Sequence, residues 1–111
     1  MFSEYLAEKI LAHVFTGVIY TPPEIIYISL HDESGPELQG ASYERKAVSF
    51  NTSQNTNQIA WNNLPAANIL GVKLWDELDN QLMEGSLPSV HPVSAGDPFT
   101  LNVGDITIGL N

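Results

Sequence analysis

At 111 residues the chain has the length of one domain, which excludes an enzyme built from separate cofactor and substrate lobes. It contains no cysteine, so disulfide scaffolds, thiolate metal centres and a cysteine nucleophile are excluded as well. Four Lys+Arg against 13 Asp+Glu give a formal net charge of −9, which disfavours nucleic acid and anionic lipid as partners.

The first predicted element is a helix over about residues 3–16. Leu6, Ala7, Ile10, Leu11, Val14 and Phe15 recur at helical spacing. Ser3 is placed to cap the first turn, Glu4 and Glu8 suit the positive end of the helix dipole, and His13 suits the negative end. Gly17 is placed to stop the helix. At about 100° per residue the six apolar positions cover roughly half the circumference, wider than the stripe one sheet face can bury. A helix of that kind is expected to meet a second surface, and a second copy of the chain is the expected candidate.

The run Thr21-Pro22-Pro23 ends helical periodicity. From about residue 24 onwards the period is that of β structure. Ile25 to His31 alternates and is β-branched, and a polar loop rich in Gly, Pro and acid follows from Asp32 to Ser42. Arg45 to Phe50 alternates again, with Val48 and Phe50 inward. Asn51 to Asn57 reads as a polar turn, and Gln58 to Trp61 as a short strand with Trp61 in the core. Ala67 to Trp75 and Gln81 to Leu87 read as a hairpin around the Asp76 to Asn80 turn. Turns at residues 94–97 and 102–105 flank strands at Phe99 to Leu101 and Ile106 to Leu110. Short strands with turn signals every 8–12 residues predict a mainly β fold. The expected domain is an antiparallel, jelly-roll-like β-sandwich of seven or eight short strands over about 24–111, preceded by one α-helix. No apolar run approaches the ~20 residues of a membrane span, and the opening residues lack a charged-then-apolar leader pattern.

Side chains that could carry chemistry are few. His13, His31 and His91 fall on separate elements without ligand spacing, which favours roles at element ends over a metal trio. Acids gather at Asp32, Glu33 and Glu37, and at Asp76, Glu77 and Asp79. Without a calcium-loop pattern these read as solvated turns, so no metal or cofactor is assigned. There is no G-x-S-x-G, P-loop or H-E-x-x-H sequence, and the acids sit in open turns where a glycosidase would need a cleft. A non-enzyme is expected. Trp75 shares strand parity with Ile69, Gly71 and Lys73, opposite Leu70, Val72 and Leu74. That parity fits a second buried layer under the helix, an indole facing a neighbouring subunit, or one stacked on sugar. Tyr43, beside Arg45, is a lesser candidate of the same kind.

In order along the chain, residues 5–15 (YLAEKILAHVF), 20–23 (YTPP), 25–31 (IIYISLH), 40–50 (GASYERKAVSF), 71–76 (GVKLWD), 95–101 (AGDPFTL) and 104–108 (GDITI) form a series. This series resembles a family of small tail-fibre or tail structural proteins of tailed bacteriophages. The likeness spans nearly the whole chain, although the loop from Asp32 to Gly40 lacks the longer Gly-rich stretch many relatives show. The resemblance implies a virion protein made in the host cytoplasm, contacting other tail proteins and present in several copies, with a trimer favoured on the resemblance alone. It carries no catalytic residues across. The expected function is a structural tail subunit (fibre, adaptor or baseplate-associated) acting through symmetric assembly. The alternative is a receptor- or carbohydrate-binding module displayed on the tail and directed at the host surface.

Overall fold

The computed structural model describes residues 2–40, 42–51 and 53–108. It holds one helix, α1 (Glu4–Thr16), and eight strands: β1 (Ile26–Asp32), β2 (Lys46–Val48), β3 (Phe50–Asn51), β4 (Gln54–Asn55), β5 (Ile59–Trp61), β6 (Ala67–Trp75), β7 (Gln81–Val93) and β8 (Phe99–Leu101). The fold is mainly β and antiparallel, with one N-terminal helix, as its periodicity predicts. The strands divide into a four-stranded sheet in the order β2-β1-β6-β7 and two ribbons, β3-β4 and β5-β8. They surround one core without closing into two equal sheets. The four-stranded sheet contributes Ile28, Leu30, Val48, Ile69, Leu74, Leu82 and Met83, and the β5-β8 ribbon contributes Ile59, Trp61, Phe99 and Leu101.

Several predicted boundaries coincide with the observed ones. Ala67 to Trp75 and Phe99 to Leu101 are strands over those residues, and the Asp76 to Asn80 turn joins β6 to β7. The segment from Arg45 to Phe50 is broken at Ser49 into β2 and the start of a small hairpin, so the polar turn from Asn51 to Asn57 contains β4. Thr52 within it lies outside the described residues. Thr107 makes a single bridge to Gln54, whereas Gly109 and Leu110, the end of the predicted last strand, lie outside the described residues.

Two differences bear on the site. The register of β6 shifts between Ile69 and Gly71, where Leu70 is an extra residue relative to β1. This bulge moves Ile69 across the sheet, because Ile69 pairs with Asp32 while Val72 and Leu74 pair with Leu30 and Ile28. Ile69 is therefore a fully buried core residue on the face of Leu74, not a companion of Trp75 as strict alternation predicts. The second difference is length: β7 runs on to Val93, through Pro88 and Pro92. It stands at the end of the sheet order, where a strand tolerates residues without an N–H.

Candidate functional site

Ser3 caps α1, its Oγ accepting from Leu6 N at 3.1 Å, and Gly17 ends it in the left-handed region at φ 71°. The helix is seated on β7 through its first turn and the residues before it. Ser3 N donates to Leu82 O at 2.8 Å, Phe2 bridges Met83, and Tyr5 and Leu6 pack partly buried against the core. No residue of α1 is buried. Beyond the first turns the predicted helix surface divides. Leu6, Ala7 and Ile10 are half-buried, while Leu11, Val14 and Phe15 are 55, 63 and 76 % exposed. Val18 and Ile19 extend the exposed apolar surface past the helix at 59 and 82 %. Those last two were missed by helical periodicity because they follow the cap. The signal was the short apolar run Val18-Ile19-Tyr20, which no strand claims.

Trp75 and Tyr43 are joined through one polar cluster: Trp75 stands on the face of the sheet opposite Ile28, Leu30 and Leu74, whereas Tyr43 also packs against the core. Trp75 is half-buried, its Nε1–H donating to Ser29 Oγ at 2.9 Å, and the Arg45 guanidinium lies 3.9 Å from its ring centroid. Arg45 donates to Glu37 through Nε at 3.2 Å and Nη2 at 3.1 Å, and also pairs with Asp79. The Tyr43 hydroxyl donates to Glu37 Oε2 at 2.6 Å and accepts from Leu30 N at 3.0 Å. Burial pushes Glu37 upward, but hydrogen bonds from Arg45 and Tyr43 outweigh it and hold the carboxyl below its ordinary range. Burial first, and then the carboxylate of Glu37, push the Tyr43 phenol far above its usual value. The arrangement ties residues 37–45 to β1 beyond its pairing with β2 and occupies one face of the indole with a cation.

The remaining candidates are dispersed. His31 is buried, with Nδ1 3.0 Å from Gly35 O and Nε2 2.8 Å from Ser29 Oγ. A carbonyl only accepts, so Nδ1 carries a proton and donates to it. His13 Nδ1 accepts from Tyr20 N at 3.4 Å near the helix end, and His91 packs on Phe99 at 4.9 Å between centroids. One aspartate of each acidic group is engaged by backbone N–H groups. Asp32 accepts from Ser34 N at 3.0 Å and Asn68 N at 3.0 Å, and these backbone bonds lower its pKa. Asp76 is buried and accepts from Leu78 N at 2.9 Å and Asn80 N at 2.8 Å. Among the described residues no three His, Cys, Asp or Glu are grouped so as to hold a metal ion. No helix among them is long and apolar enough to cross a membrane.

A more consequential polar residue escaped the sequence reading. Asn55 is buried and uses both donors and its acceptor. Its Nδ2 donates to Asn57 O at 2.9 Å and Asn102 O at 3.0 Å, and Oδ1 accepts from Gly104 N at 3.0 Å and Ile106 N at 2.9 Å. Nothing in a run of Asn, Ser, Thr and Gln marks one of them as the hub.

No curated protein matches the chain. Residues 1–109 match the family model described as podophage GP4 fiber I protein gp80, and the chain belongs to this family of phage tail-fibre proteins.

Proposed function

We propose that the chain is a non-enzymatic structural subunit of the tail fibre, located in the virion, whose work is symmetric assembly with copies of itself and contact with other tail proteins. The observation that carries this reading is the outer half of α1, where Leu11, Val14 and Phe15 are more than half exposed side by side. Contiguous apolar surface of this kind marks an interaction site in a folded protein. Burying it is worth about 25 cal/mol per Å², which favours association by several kcal/mol before entropy costs. Trp75 and Tyr43 serve the fold in this reading, since Arg45 and Glu37 occupy them.

Light scattering on the isolated protein tests the proposal. The wild type is expected to self-associate at high micromolar concentration, and Leu11→Glu to remain monomeric with unchanged circular dichroism. A wild type that stays monomeric refutes helix-led self-association. Hydrolysis of host polysaccharide that disappears on changing one carboxylate, such as Glu33 or Asp76, refutes the non-enzymatic role.

A further inference from the structure

We draw no further inference here: the strongest candidate, the groove of about 400 Å³ between β8 and residues 87–91 of β7, is lined by Pro88, Pro98, Phe99 and Leu101, and nothing in the structure shows what covers it.

Discussion

Glu37 shows how one side chain can organise a face of this molecule. It joins Tyr43 and Arg45, and through Arg45 it reaches Asp79 and the Trp75 ring, so one carboxylate and one guanidinium link three stretches of chain, at Glu37, at Tyr43 to Arg45 and at Trp75 to Asp79. Its folded-state pKa is depressed relative to an ordinary glutamate near 4.3, so the pairing stabilises the fold above that pH. The contribution is lost as the pH falls through the depressed value. Glu37→Gln, which cannot ionise, is therefore expected to be less stable than wild type at pH 7, with the gap shrinking between about pH 5 and pH 3. Urea denaturation across that range measures it, and a gap independent of pH contradicts the assignment. None of this cluster was legible in the sequence beyond the neighbouring positions of Tyr43 and Arg45. The partners of a guanidinium are set by where distant loops come to rest, and no local pattern encodes that.

At the scale of elements, legibility followed locality. The helix and both its caps were readable because Ser3, the apolar spacing and Gly17 act within a few residues of one another. Strand β6 was readable in extent because turn signals bound it, but not in facing. A bulge depends on the neighbouring strands, and Leu70 looks like any alternating residue. The expected strand ended at Leu87, whereas β7 continues through Pro88 and Pro92, which a strand at the end of the sheet tolerates and an interior one does not. Two glycines on this hairpin make a contrasting prediction. A Cβ on Gly71 would stand 3.2 Å from the Cβ of buried His31, its cross-strand partner, whereas a Cβ on Gly85 meets nothing within 4 Å. Gly71→Val is accordingly expected to cost about 1–3 kcal/mol through overpacking. Gly85→Ala should be neutral or stabilising by about 0.5 kcal/mol, since it restricts the unfolded chain. Urea melts of the two variants decide the matter, and equal losses would show that the bulge has relaxed around His31.

The whole molecule is elongated, 48 × 26 × 25 Å, with a radius of gyration of 14.8 Å against about 13 Å for a compact chain of this length. A helix without a buried residue, seated by its first turn, agrees with that shape and leaves the apolar stripe open to a neighbour. Assembly has an electrostatic opponent, because every copy carries −9. Like-charge repulsion is screened as the Debye length shortens from about 30 Å at 0.01 M to about 3 Å at 1 M salt. Self-association is therefore expected to strengthen with added sodium chloride, which a light-scattering series will show. Weakening with salt would mean that cross-subunit ion pairs dominate over burial. The prolines of β7 acquire another meaning in this setting. The proposed assembly gathers identical chains at high local concentration, where a bare sheet edge can recruit a neighbour's strand and polymerise without limit. Pro88 and Pro92 lack the N–H groups such an added strand would seek, and β2, at the other edge, is three residues long. Both rims of the four-stranded sheet are thus poor templates, and accretion by strand addition is disfavoured there, where crowding would otherwise promote it.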